Sequence, residues 1–125
     1  LAKQMDLYLG LPSLWFEPDG RRQQLYGKPG TFRPKTYGME YRSPSNWWLK
    51  SERTMEFAFN LARDGTRRLI RDKALKYVGN YWHGRGEVKS VLANRDKARA
   101  KDMLYYSRLM YTRNAPDIID NYRGI

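Results

Sequence analysis

Over the first third of the chain, apolar side chains come in short runs cut by glycine and proline. From about residue 46 onward they recur at helical spacing. Met5 to Leu9 is one short run, ended by Gly10. Leu14-Trp15-Phe16 is another, closed by Glu17-Pro18-Asp19-Gly20, whose residue types favour a turn. Gln24-Leu25-Tyr26 leads into the loop Gly27-Lys28-Pro29-Gly30. Thr31-Phe32-Arg33 and Tyr37 to Arg42 read as strand pieces. In the second piece Met39 and Tyr41 point one way, Glu40 and Arg42 the other. The second half predicts helices. Asn46 suits an N-cap before Trp47, and Trp48, Met55, Phe59 and Ala62 share a helical face that stops at Asp64-Gly65. A second helix starts near Thr66 and carries Ile70, Ala74, Tyr77 and Val78. A loop follows from Asn80 to Gly86. A third helical segment runs from Glu87 to about Thr112, and Pro116-Asp117 opens a last short one. The expected fold class is α+β. A small, mainly antiparallel sheet comes first and helices pack on it, with a strand-and-turn segment over 1–50 and a helical segment over 51–125. Together they make one domain or the back part of a larger one.

Composition narrows the chemistry. The chain has 125 residues and no cysteine, so disulfides, thiol catalysis and cysteine–zinc sites are excluded. Its one histidine, His83, rules out a multi-histidine metal site built from this chain. His83 sits between Trp82 and Gly84 in a loop, where a packed or solvent-facing imidazole is the plainer reading than a general base. No apolar run is long enough to span a bilayer, and a cytoplasmic location is expected. Lysine and arginine outnumber acids by 24 to 13, a formal charge of +11, which predicts attraction to nucleic acid, nucleotide phosphates or an acidic protein face.

Arg21 to Asn46 is the densest candidate stretch. It holds Arg21, Arg22, Lys28, Arg33, Lys35 and Arg42, and Glu40 is its only acid. Arginine's rigid fork holds carboxylate or phosphate by paired hydrogen bonds, and glycines at 27, 30 and 38 let backbone approach a ligand closely. A glutamate beside an arginine on one strand face suits a divalent cation next to a bound oxyanion. The plainer reading, favoured on composition alone, is a solvated basic edge with a surface pair. Gly27-Lys28 is not a phosphate-binding P-loop, because Pro29 stands where serine or threonine is required. Gly84-Arg85-Gly86 is too short for a dinucleotide fingerprint. The later basic residues, including Arg67, Arg68, Arg71, Arg95 and Arg99, read first as the wet faces of amphipathic helices.

The string Tyr26-Gly27-Lys28-Pro29-Gly30-Thr31-Phe32-Arg33, followed by Tyr37-Gly38-Met39-Glu40-Tyr41-Arg42 and by Ser45-Asn46 before a helix, changes that balance. With Arg21-Arg22 ahead of it and an Asp6-to-Ser13 lead-in, it resembles the C-terminal part of phage-type carboxylate–amine (COOH–NH2) ligases of the glutamine synthetase-like superfamily. The likeness is close over roughly residues 5–50. It implies amide formation from an acid and an amine, using ATP and Mg²⁺ through an acyl phosphate. By that resemblance Glu40 is a metal ligand, and Arg42 holds a substrate carboxylate or the transferred phosphoryl group. Arg33, Arg21, Arg22, Lys28 and Lys35 meet ATP phosphates.

The family's earlier acidic strands and its Gly-His-Ile-His type motif are missing here. The resemblance therefore implies the back portion of such an enzyme, with an N-terminal half or another subunit as partner and small-molecule acid and amine substrates. A phage origin would place it in the host cytoplasm. Two other readings stand beside it. One is a basic module that binds nucleic acid or an acidic partner on a degenerate ligase scaffold. The other is a structural subunit of a larger assembly.

Overall fold

The computed structural model describes residues 1–17, 20–71 and 87–106. The second expected helix, from about Thr66 to near Gly79, is described only to Arg71, where it continues the helix before it; its remainder, the loop with His83 and the last short helix lie outside the described residues.

The N-terminus is helical where the sequence predicts strands. Helix α1 (Ala2–Met5) runs into a π-helical turn (Asp6–Gly10) and then into α2 (Leu11–Phe16). The physical reason lies in the buried set. From Ala2 to Phe16 all residues but Lys3, Leu9 and Trp15 are buried, so the helix is packed on nearly every side and carries no 3.6-residue stripe to set it apart from a strand. Pro12 falls in the first turn of α2, where its missing N–H costs nothing. The wide π turn carries the chain across Gly10, with the Leu11 N–H bonding to the Asp6 carbonyl. A short helix, α3 (Arg21–Leu25), follows where an extended piece was expected.

The sheet is one antiparallel hairpin, β1 (Phe32–Lys35) and β2 (Gly38–Tyr41). Arg33 faces Glu40 and Pro34 faces Met39 across it. Gly38 closes the two-residue turn at φ +155°, and Gly30 enters the hairpin at φ +79°; both values favour a residue without a Cβ. The expected alternation holds, with Glu40 and Arg42 on one face and Met39 and Tyr41 on the other; the register adds Arg33 opposite Glu40.

A 3₁₀ turn (Trp47–Lys50) and the long helix α4 (Glu52–Arg71) follow. Asn46 makes no capping hydrogen bond ahead of the 3₁₀ turn. Ser51 caps α4 instead. Its hydroxyl accepts from the Thr54 N–H at 3.2 Å, and Thr54 Oγ1 accepts from the Ser51 N–H at 3.0 Å. Asp64-Gly65 does not end the helix. Gly65 is buried where α4 crosses the N-terminal helices, and a Cβ there would stand 2.9 Å from Tyr8 Cγ. The core face of α4 is Thr54, Phe57, Leu61 and Gly65, not the stripe that the sequence suggests. Trp48, Met55 and Phe59 are exposed.

The expected third helix is broken into α5 (Glu87–Ala93) and α6 (Lys97–Tyr106). Arg95 takes a positive φ of 52° at the break, and Asp96 caps α6 by accepting the Arg99 N–H at 3.0 Å. The core joins the π turn, α2, the 3₁₀ turn, α4, α5 and α6. Phe16 stacks on Trp47 with ring centroids 4.4 Å apart, and Phe57 tilts against both. Leu7, Leu11, Leu14, Leu61, Val88, Leu92 and Met103 surround them.

Candidate functional site

The hairpin presents one charged face. Its two-residue period places Arg33 and Lys35 of β1 beside Glu40 of β2, and Arg42 continues the same face as β2 ends. The Arg42 N–H still bonds to the Thr31 carbonyl at 3.0 Å, so the strand geometry persists there. Glu40 Oε2 lies 3.5 Å from Lys35 Nζ and 3.9 Å from Arg33 Nη1. Glu40 Oε1 lies 3.5 Å from Arg42 Nε. Three cations thus surround one carboxylate, and every side chain of the group is a third or more open to solvent apart from Lys35 at 31%. Surface pairs of this kind contribute little to stability, about 0–1 kcal/mol each. The cluster's meaning is electrostatic: a rigid ribbon holds a net positive charge of two on one accessible face.

The other predicted cations are placed differently. Arg22 turns back from α3 to hold the end of the hairpin. Nη1 donates to the Ser43 carbonyl at 2.7 Å and Nη2 to the Arg42 carbonyl at 3.0 Å. Its own carbonyl accepts from the Tyr26 and Gly27 N–H groups. The Arg22 guanidinium therefore orients the backbone that carries Arg42. Arg21 is exposed at the first position of α3, and Lys28 is exposed on the loop before β1.

Gly27 allows this crossing. A Cβ there would collide with the Ser43 carbonyl oxygen and with Arg22 Nη1. Gly27→Ala should therefore destabilise the fold by about 1–3 kcal/mol. Urea unfolding of the variant checks this, and an unchanged midpoint would show that the loop can move aside.

Three contacts that sequence reasoning missed fix the hairpin and the segment after it against the N-terminal helices. The Tyr41 hydroxyl donates to Asp6 Oδ1, and Asp6 is fully buried in the π-helical turn with Oδ2 unpartnered. Burial pushes the Asp6 carboxyl up to about 7, while the polar groups of Tyr41, Ser43 and Gly30 lean the other way. Tyr41 itself is raised well above its ordinary value, by burial first and by the Asp6 charge second. Glu17 Oε1 accepts the Ser45 N–H at 2.5 Å, and Lys50 Nζ donates to the Phe16 carbonyl at 2.8 Å. Those two bonds tie the segment after β2 to the end of α2. The available signal for Asp6 was a lone acid inside the apolar run Met5 to Leu9. A cavity of about 460 Å³ lies in this region, lined by Glu17, Arg22, Asn46, Trp47 and Lys50 among others.

As a metal site the cluster fits poorly on its own. Glu40 is a single carboxylate among cations, and no group of three metal-ligating side chains occurs among the described residues. The donor set suits an oxyanion better.

The sequence matches the model of the phage phiEco32-like COOH.NH2 ligase-type 2 family over residues 1–102. The chain belongs to this family. The match takes in the N-terminal helices, the hairpin, α4 and α5, so it extends well past Leu49, where the likeness of individual motifs fades. No curated protein and no solved structure matches the chain. Among the described residues no helix is long and apolar enough to cross a membrane.

Proposed function

We propose that the hairpin face is the oxyanion-holding part of an ATP-dependent carboxylate–amine ligase of the glutamine synthetase-like kind. The observation that carries this reading is the convergence of Arg33, Lys35 and Arg42 around Glu40, inside a chain of a COOH–NH2 ligase family.

The chemistry asks for such a face. A substrate carboxylate oxygen attacks the terminal phosphorus of ATP, and ADP leaves. The amine then attacks the acyl carbon, and phosphate leaves as the amide forms. Negative charge gathers on phosphoryl oxygens in both steps, and fixed cations stabilise it. Arg42 and Arg33 bind those oxygens directly. Lys35 adds a compact charge beside them, and Arg21 and Lys28 widen the basic approach. Glu40 offsets the mutual repulsion of the three cations and holds them together on the face. It also offers one oxygen ligand to Mg²⁺, which would neutralise phosphate charge when bound. Further ligands would come from another subunit or segment. Both outer edges of the hairpin are unpaired among the described residues, which leaves room for added strands. The cavity lined by Glu17, Arg22, Asn46 and Lys50 offers a small acid or amine polar partners of both signs.

Mg²⁺–ATP binding to the native material, measured by calorimetry, tests the reading. Arg42→Ala is expected to weaken it by about tenfold or more, the loss of one charge-assisted contact. Glu40→Gln should lower amide-forming turnover at least about tenfold with the fold intact. Absence of ATP binding, or turnover untouched by Glu40→Gln, would sink the assignment.

A further inference from the structure

Helix α4 has two faces with different tasks. Thr54, Phe57, Leu61 and Gly65 pack on the core. On the solvent side Met55, Phe59 and Ile70 follow one helical line with Ala62 and Thr66 between them, and Phe59 and Ile70 are 66% and 75% exposed. Beside that apolar line runs a charged one. Its first half carries Glu52 and Glu56, with Arg53 at its margin; its second half carries Arg63, Arg67 and Arg71, and Arg63 Nε lies 3.2 Å from Asp64 Oδ1. Within one helix, like charges four residues apart repel, and both halves are built that way. Glu52, Glu56 and Arg67 have no ion-pair partner among the described residues, and the Arg63 guanidinium lies over the Phe59 ring at 6.0 Å.

We infer that this face pairs with the same face of a second copy of the chain, α4 against α4 and antiparallel about a two-fold axis near Ala62. The pattern is self-complementary in that arrangement. Glu56 and Arg67 are equally far from the midpoint between Leu61 and Ala62. A two-fold axis keeps the charged line of one copy beside that of the other and reverses its direction. Acidic half then meets basic half twice. The apolar line meets itself likewise: Met55 approaches Ile70 of the other copy, and the small Ala62 at the crossing leaves space for the two Phe59 rings. An acidic partner protein would match only the basic half, and an anionic membrane would be repelled by the acidic half.

Sedimentation equilibrium of the full chain, from low micromolar to submillimolar concentration, is the test. The expected result is a monomer–dimer equilibrium. Phe59→Glu should leave a monomer with unchanged far-UV circular dichroism. Glu56→Arg and Arg67→Glu should each weaken the dimer by about tenfold, and the two together should restore it. A chain that stays monomeric throughout overturns the inference. So does a dimer indifferent to Phe59→Glu or to the charge swap, or a different polypeptide found seated on α4.

Discussion

Asp6→Asn should remove most of the pH dependence of stability between pH 4 and 8. Asp6 is held in an apolar helical turn under the hairpin, and its carboxyl is raised from 3.8 to about 7 by burial. The folded state therefore keeps a proton that the unfolded chain loses near pH 4. Stability is highest where both states are protonated, falls as pH rises from about 4 to 7, and is flat beyond. The size of that fall follows from the separation of the two values and is on the order of 4 kcal/mol. Asparagine is neutral throughout and keeps a carbonyl oxygen for the Tyr41 hydroxyl. The difference in unfolding free energy between variant and parent should thus grow in the variant's favour by that amount from pH 4 to 8. Other carboxyls titrate equally in both proteins and cancel. Urea titrations at several pH values measure the difference, and a difference that does not change with pH would mean that Asp6 is ionised and solvated.

Arg22→Ala should cost about 2–4 kcal/mol and disturb the charged face as well. Arg22 donates to two successive carbonyls, Arg42 and Ser43, at the point where β2 leaves the sheet. Hydrogen bonds from a charged donor are worth about 1.5–3 kcal/mol each, and water reaching this half-buried place recovers part of the loss. Gly27 exists in its present form to let this side chain cross. Lysine at position 22 should recover less than half of the loss, because an ammonium cannot bridge two carbonyls with a planar fork. On the proposed ligase reading, Arg22→Ala should also weaken Mg²⁺–ATP binding, because Arg22 holds the Arg42 backbone although its guanidinium is turned away to carbonyls. A variant with the parent's urea midpoint would show that the hairpin is fixed by Tyr41 and Glu17 alone.

The Glu40–Arg42 side of the second strand piece was legible because a strand has a two-residue period. Once Tyr37 to Arg42 is extended, Glu40 and Arg42 must share a side. The helices were harder to place. Met5 to Leu9 and Leu14-Trp15-Phe16 look like strands cut by Gly10 and Pro12, yet those residues sit at a π turn and in a helix's first turn, where they interrupt nothing. In α4 the sequence holds two apolar faces, and periodicity alone cannot say which one meets the core. Packing against Phe16 and Trp47 selected Phe57 and Leu61, and left Met55 and Phe59 outside.

By itself the sequence determined the charge, the absence of thiol chemistry, the family and the alternation that puts Glu40 and Arg42 on one face. These are properties of composition and of neighbours along the chain. Only the tertiary structure decided that Arg22 serves as a brace, that Asp6 is buried under Tyr41, and which side of α4 is the inside. Those outcomes depend on contacts between residues far apart in sequence, where burial and hydrogen-bond geometry, and not local preference, set the free energy.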